Sequence, residues 1–386
     1  MKPSQTSLPT SRLSLWPALV FVALLLAGLG VTVQSLRQVP AADWAGFTDP
    51  DKLLGGESTR RFTANLNAHF LPSHFFAQVE RFVTWTLVGD TGDSVRTGCA
   101  GWFFLSEELT PFPHPQQSAA ARASIVAAVS SNLKAQGIAL VVTLVPDKSR
   151  IEQTQLCGLH RAPGFAPRLS QWHSALTAAG VDVLNLEPTL AALPGERYYR
   201  TDSHWNELGA QAAARAVAQH IFARQHLPAP AQPPNAASLQ SETVERPGDL
   251  LRFSNLLGWP MGLRPVSEQA QVTHFQAAPA AASAEDDLFG DAGLPSVAVI
   301  GTSFARTANF VPFLGFELGA AVANLAKDGG NFEGAARAYL GSETFTQTPP
   351  KVVVWEVPER MLQMPLSPAE HQWLKDLKLA LPAATH

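Results

Sequence analysis

The chain has 386 residues, 46% hydrophobic and 16% charged, a balance that fits a folded protein with a sizeable core and excludes wholesale disorder. Its formal net charge of -4 provides no basic footprint, so nucleic-acid and polyphosphate partners are not expected.

Residues 13–33 form an almost unbroken apolar run, long enough at about 1.5 Å per residue to cross a hydrocarbon core of about 30 Å. Lys2 and Arg12 precede it, and the positive-inside rule keeps that end in the cytoplasm. A cleaved signal peptide is the alternative, but it would carry a shorter apolar core and a small-residue cleavage site. Thr32, Val33, Gln34 and Ser35 offer no convincing site, which favours an uncleaved anchor over residues 1–36. Either way, the rest of the chain is expected outside the inner membrane, in the periplasm.

Residues 37–94 read as a stalk and entry segment, Pro-punctuated up to about 73 and amphipathic, hence helical, over 75–87. Residues 101–105 are a short apolar run of strand character. From residue 119 the pattern becomes α/β. An Ala-rich helix over 119–134 ends at Gly137 and feeds a buried-strand run over 138–145. A helix over 167–179 closes at Gly180 before a strand over 181–186, and a third helix runs from 206 to about 225. Residues 227–238, with Pro228, Pro230, Pro233 and Pro234, read as a surface excursion, and 277–284 is similarly biased. The alternation then resumes. Strands are expected over 297–300, 322–325 and 352–355, with helices from 304 and over 332–340. Apolar runs too continuous for one-sided burial imply a mostly parallel sheet covered on both faces, in one domain from 95 to 386.

Two segments carry chemistry. In Tyr198-Tyr199-Arg200-Thr201-Asp202-Ser203-His204, Asp202 and His204 lie two apart, so an extended backbone projects them to one side. Such a carboxylate can hold an imidazole in one tautomer, although Asp202 or Ser203 could instead cap the following helix. In Val297-Ala298-Val299-Ile300-Gly301-Thr302-Ser303, a serine on a glycine turn after a buried strand reaches the carboxyl end of the sheet, where such folds place ligands. A helix N-cap is the competing role for Ser303. Together the segments supply a nucleophile, a base and its orienter, in the chain order Asp, His, Ser. Gly92-Asp93-Ser94 resembles an esterase motif, but its context is a turn entering a strand, and Ser94 is read as structural.

The pattern Tyr199-x-x-Asp202-x-His204-Trp205-Asn206-x-x-Gly209-Ala210, followed by Gly301-Thr302-Ser303-Phe304, resembles the SGNH-hydrolase-like domain of the alginate O-acetyltransferase family. Gly101-Trp102-Phe103-Phe104, Pro146-x-Lys148, Gly248-Asp249-Leu250 and the run from Pro350 to Arg360 extend the resemblance over about 95–360. It implies a circularly permuted, flavodoxin-like three-layer fold with Ser303 as acetyl-accepting nucleophile, His204 as general base and Asp202 as its partner. It implies no metal or tightly held cofactor. The implied partners are a polysaccharide acceptor and a multi-pass membrane O-acyltransferase that passes acetyl across the inner membrane. Residues 361–386 are too short for the carbohydrate-binding module of some members, so the chain looks like the anchored, module-less ones. A carbohydrate acetylesterase of the same fold and a non-catalytic scaffold of a polysaccharide export complex are the rival functions.

Further residues keep two readings each. Lys148 lines the cleft against an anionic sugar or is a solvated lysine. Arg306 holds a carboxylate or pairs with a surface acid. Asn331, after Gly329 and Gly330, offers an oxyanion donor or merely opens a helix. Tyr199 and Trp205 are candidates to stack on sugar, Trp102 reads as core, and Glu356 with Arg360 as a structural ion pair. Cys99 and Cys157 are either bridged, as an oxidising compartment permits, or two separate buried thiols.

Overall fold

The computed structural model describes residues 15–71, 73–230, 239–259, 262–275 and 295–382. Most of the expected excursion at 227–238 and all of 277–284 lie outside the described residues. The chain divides into two compact units, 1–83 and 84–386.

In the first unit, the helix Trp16–Leu36 has 21 residues and is long and apolar enough to cross a membrane. Within the stalk and entry segment, the Pro-punctuated part folds into short helices before the helix expected over 75–87. Asp49 accepts from the Asp51 N–H at 3.1 Å with Pro50 at the first helical position, so this proline starts the helix Pro50–Leu54 rather than breaking one. Gly56, at φ 74°, turns the chain into the helix Glu57–His69. The Arg61 guanidinium binds the carbonyls of Ala45 and Asp43 at 3.0 and 2.7 Å, and Ser58 donates to the Phe47 carbonyl. The helix Ser73–Val88 follows.

In the second unit the described strands are β1 (Val95–Thr97), β2 (Phe103–Leu105), β3 (Ala139–Val145), β4 (Asp182–Asn185), β5 (Leu239–Arg246), β6 (Glu268–Phe275), β7 (Val297–Ile300), β8 (Val322–Asn324) and β9 (Val352–Pro358). Five of them form a parallel sheet in the order β4-β3-β9-β7-β8. β7 and β9 are buried along their whole length and β3 along all but its first residue, as their β-branched, two-sided sequences demand. Alternate residues feed two apolar layers. Leu140, Val142 and Leu144 face the helices Pro115–Ala135, Arg168–Ala178, Gly334–Leu340 and Pro368–Asp376. Val141 and Val145 face the helices Glu207–Ala223 and Phe310–Leu318. This is the expected three-layer α/β arrangement, with the last strand, β9, between β3 and β7. All four pairings being parallel, the loops that leave β3, β7 and β9 share one edge of the sheet.

β1 and β2 form a small antiparallel pair, and β5 and β6 a second one in register from Leu239↔Phe275 to Arg246↔Glu268. This second pair, between the helix Glu207–Ala223 and β7, was not expected. Cys99 and Cys157 are bridged, with Cα atoms 5.1 Å apart, and the bond ties the β1–β2 turn to the segment after β3. For a span of 58 residues the loop-entropy scale sets a ceiling of about 4 kcal/mol on its contribution. Without reductant no thiol should titrate in denaturant, and Cys99→Ser with Cys157→Ser should lower the unfolding midpoint. Two reactive thiols in the untreated protein would refute the bridge.

Candidate active site

Gly301 follows β7 with φ 152°, and a Cβ there would lie 2.6 Å from Glu356 Oε2 and 2.8 Å from the Glu356 carbonyl, so only glycine fits between β7 and β9. Thr302, not Ser303, caps the four-residue helix Ser303–Arg306, accepting from the Phe304 N–H at 3.3 Å. Its N–H and hydroxyl both donate to the buried Glu356 carboxylate, at 2.7 and 2.9 Å. The capping role considered for Ser303 is thereby taken by its neighbour, which leaves the Ser303 hydroxyl free for other partners.

The opposite side of the site is the turn between Tyr198 and Trp205, which pair as an isolated antiparallel bridge. Tyr198 and Trp205 are fully buried and pack edge-on against Phe304, at 6.2 and 5.1 Å between ring centroids. The His204 ring packs on the same Phe304 at 4.8 Å. Asn206, rather than Asp202 or Ser203, caps the following helix, through the Gly209 N–H at 3.0 Å. Asp202 is therefore free to turn back on its own loop. Its Oδ1 accepts from the His204 N–H at 3.0 Å and lies 2.6 Å from Nδ1. On the other side of the ring, Nε2 lies 2.7 Å from Ser303 Oγ. With Nδ1–H donating to the ionised carboxylate, Nε2 is left to accept the serine hydroxyl proton, the arrangement of a nucleophile–base–orienter chain.

Burial works to raise the Asp202 pKa, but the hydrogen bonds and charge of His204, with the charge of Arg246, prevail and hold it well below the usual carboxylate range. The second oxygen, Oδ2, accepts from Arg246 Nη2 at 2.9 Å. A further carboxylate, Asp249, accepts from the Ser203 N–H and hydroxyl at 2.7 and 2.6 Å, and its Oδ2 lies 3.6 Å from His204 Nδ1. Burial first, then the charge of Asp202, raises its pKa. Asp202, His204 and Asp249 place three potential ligand atoms within 4.8 Å, yet each is already matched to a donor or acceptor of this network.

His204, Asp249 and Ser303 open on a cleft of about 310 Å³ whose walls also include Leu105, Phe253, Met361 and Met364, with Asn331 and Gly329. Among the other expected residues, Asn331 is exposed and lines this cleft. Lys148 departs from both of its readings, being fully buried. Its ammonium donates to the carbonyls of Phe103, Arg200 and Asp202 at 2.5, 2.9 and 3.0 Å, and so pins the turn that carries Asp202 and His204 to β2. Tyr199 is buried with the Arg246 guanidinium 4.5 Å over its ring, and Trp205 is core, so neither stacks on a sugar. Arg306 takes the surface role, 3.3 Å from Asp328. Glu356 is bound to Thr302 while Arg360 faces Glu107 at 3.8 Å, so these two are not each other's partners. Trp102 is core, and Ser94 sits in the turn before β1, on the rim of the cleft.

Asp249, Arg246 and Glu268 carry no role in the sequence reading. The one available signal was Gly248, where a Cβ would stand 1.9 Å from the Thr201 carbonyl oxygen. The run Gly248-Asp249 thus passes against the backbone of the catalytic turn.

Residues 95–359 match the family described as SGNH hydrolase-like domain, acetyltransferase AlgX. The chain is 33% identical over 362 residues to the probable alginate O-acetylase AlgJ of Pseudomonas aeruginosa, covering 91% of each chain. It is 30% identical to the protein of the same name in Pseudomonas putida, covering 86% of this chain and 87% of that one. Among solved structures, the O-acetyltransferase domain of Pseudomonas putida AlgJ superposes with a TM-score of 0.62 at 28% identity, over 74% of this chain and 99% of that one. Pseudomonas aeruginosa AlgX shares the fold, at a TM-score of 0.53 and 24% identity, over 68% and 62%.

Lys148→Met should remove this donor from the buried carbonyls of Phe103 and Asp202, while the Arg200 carbonyl keeps the Phe103 N–H, costing about 2–4 kcal/mol and loosening the turn that carries Asp202 and His204. Burial pulls the Lys148 pKa down to about 8 against the attraction of nearby acids. Between there and the ordinary lysine value the unfolded chain binds more protons than the native one, so this group's contribution to stability rises with pH in that window. Urea unfolding at pH 8 and 10 should show that rise in the native protein and a smaller one in Lys148→Met. Equal slopes would refute the assignment.

Proposed function

The chain belongs to the AlgX/AlgJ family of SGNH hydrolase-like acetyltransferases, and on that premise we propose that it transfers acetyl through an ester on Ser303 to a hydroxyl of alginate or a related exopolysaccharide. The observation that carries this reading is the unbroken hydrogen-bond chain from Asp202 through His204 to Ser303 at the wall of an open cleft.

In the first half-reaction His204 Nε2 takes the Ser303 proton as Oγ attacks the acetyl carbonyl of the donor. The imidazolium that forms is stabilised by ionised Asp202, and it returns the proton to the donor's leaving oxygen as the tetrahedral centre collapses. In the second half-reaction Nε2 takes the proton of a sugar hydroxyl, whose oxygen attacks the acetyl-serine, and Ser303 leaves reprotonated. The developing oxyanion needs fixed donors. The Ser303 N–H, at the first position of its helix and thus without an intrahelical acceptor, is one, and the Asn331 amide across the cleft is the other.

The membrane-length helix Trp16–Leu36 anchors the enzyme at the inner membrane, with the catalytic unit in the periplasm. The bridged cysteines suit that oxidising compartment. The periplasm lacks its own acetyl-CoA, so a multi-pass membrane O-acyltransferase delivers the acetyl group.

The test uses purified protein with 4-nitrophenyl acetate as donor and oligomannuronate as acceptor. Mass spectrometry should find acetyl on Ser303 and on the oligosaccharide, and Ser303→Ala should lose on the order of 10³-fold or more of the turnover. Acetate release with no acetylated sugar would establish an esterase instead. Unchanged polymer acetylation in cells carrying Ser303→Ala, against loss on deleting the chain, would establish a scaffold.

A further inference from the structure

The β5–β6 hairpin is more than a surface insertion, because its last register pair, Arg246↔Glu268, closes on the catalytic turn. Glu268 accepts from the N–H groups of Arg200 and Thr201 at 2.8 and 2.9 Å and from the Thr201 hydroxyl at 2.7 Å. Across from it, Arg246 reaches behind Asp202 and donates to Oδ2 at 2.9 Å. Its guanidinium is packed face-on over Tyr199, and among the described residues its buried Nε finds no acceptor. The position of this arginine is thus set by the Tyr199 ring and the Asp202 carboxylate.

The site has a reason to need a cation there. Two carboxylates, Asp202 and Asp249, stand 2.6 and 3.6 Å from the same nitrogen of His204. Buried carboxylates this close share a proton unless a positive charge separates their affinities. A proton placed on Asp202 would remove the acceptor that fixes the imidazole tautomer. We propose that Arg246, delivered by the β5–β6 hairpin, is a positioning residue for acetyl transfer. It keeps the Asp202 carboxylate ionised and bound to His204 while Asp249 holds the turn through Ser203. This inference rests on the acetyl-serine reading above.

The opposed pKa directions of the two acids, Asp202 down and Asp249 up, agree with that division. The charged groups around the ring are Asp202 and Asp249 on the Nδ1 side, Arg246, Lys148 and Glu268 behind Asp202, Glu356 and Arg360 toward Phe304, and Glu107 on the cleft wall. Within this set the signs are fixed. Loss of the Arg246 charge favours the imidazolium and moves the acidic limb of the rate profile to higher pH. Loss of the Asp249 charge disfavours it and moves the limb to lower pH.

The experiment measures 4-nitrophenol release from 4-nitrophenyl acetate across pH in the full chain, for native protein, Arg246→Gln, Arg246→Lys, Asp249→Asn, Asp202→Ala and Ser303→Ala. Arg246→Gln should raise the limb by about half to one pH unit and lower kcat about ten-fold with KM within about two-fold. Arg246→Lys should keep the limb in place, and Asp249→Asn should shift it the other way. Limbs that coincide in native protein and Arg246→Gln, or that move equally in the Gln and Lys variants, overturn the proposal. Should Arg246→Gln not accumulate, Arg246→Lys decides: a native limb with transfer within about ten-fold supports it, and activity as low as Asp202→Ala overturns it. Ser303→Ala separates the two readings. If that variant keeps native turnover, the acetyl-serine reading falls and this one with it, whereas a dead Ser303→Ala beside unmoved limbs sinks only the role of Arg246.

Discussion

The contact between His204 Nε2 and Ser303 Oγ, 2.7 Å across 99 residues of sequence, sets the demands that the rest of the second unit meets. A bond of that length needs both backbones fixed to a few tenths of an ångström, yet His204 lies in a turn and Ser303 opens a helix of only four residues. The serine side is fixed by β7 and β9 pressed together at Gly301, with Glu356 of β9 holding the Thr302 N–H and hydroxyl. The histidine side is fixed by Lys148, Glu268 and Asp249, which between them bind carbonyls, N–H groups and hydroxyls from Arg200 to Ser203.

These supports come from the carboxyl ends of the parallel strands and from the inserted hairpin. Behind them a buried ionic cluster locks the strand ends. The Glu359 carboxylate accepts from the Asp147 N–H at 3.0 Å and pairs with Arg150 and Arg161 at 2.6 and 2.8 Å, while Arg168 binds both acids. Breaking such a pair leaves an uncompensated buried charge. The cluster therefore ties the end of β3 to the end of β9, and through Lys148 and Glu356 that registration reaches both halves of the triad.

The legibility of the sequence followed the physics of each segment. β3, β7 and β9 were readable because strands buried on both faces are continuous apolar runs, and Asp202, His204 and Ser303 because their residue types and spacings carry chemistry locally. The β5–β6 pair was not, because Leu239–Arg246 is exposed on much of both faces and shows no alternation. Arg246 and Asp249 act only through a partner some 44 and 46 residues away, and no local pattern records that. Lys148 was misread because an unpaired lysine is usually solvated, whereas three backbone carbonyls here replace its water. The helix Pro368–Asp376 had a usable signal in Ser367 and Glu370, which form a capping box.

A Ser303–His204–Asp202 chain of this geometry does not by itself distinguish transfer from hydrolysis, because an imidazole can take a proton from water as readily as from a sugar. On the proposed acetyl-serine route, the distinction lies in how long an ester at Ser303 stays dry and which hydroxyl is held near it. Leu105, Phe253, Met361 and Met364 give the cleft an apolar wall that a sugar face can cover, excluding water from the ester once the acceptor is seated. Met361 and Met364 follow β9 directly, and Phe253 ends the short helix that begins with Asp249. The elements that orient the histidine thus also shape the wall beside Ser303, so on the proposed route acceptor choice and base geometry are coupled through the same short segments.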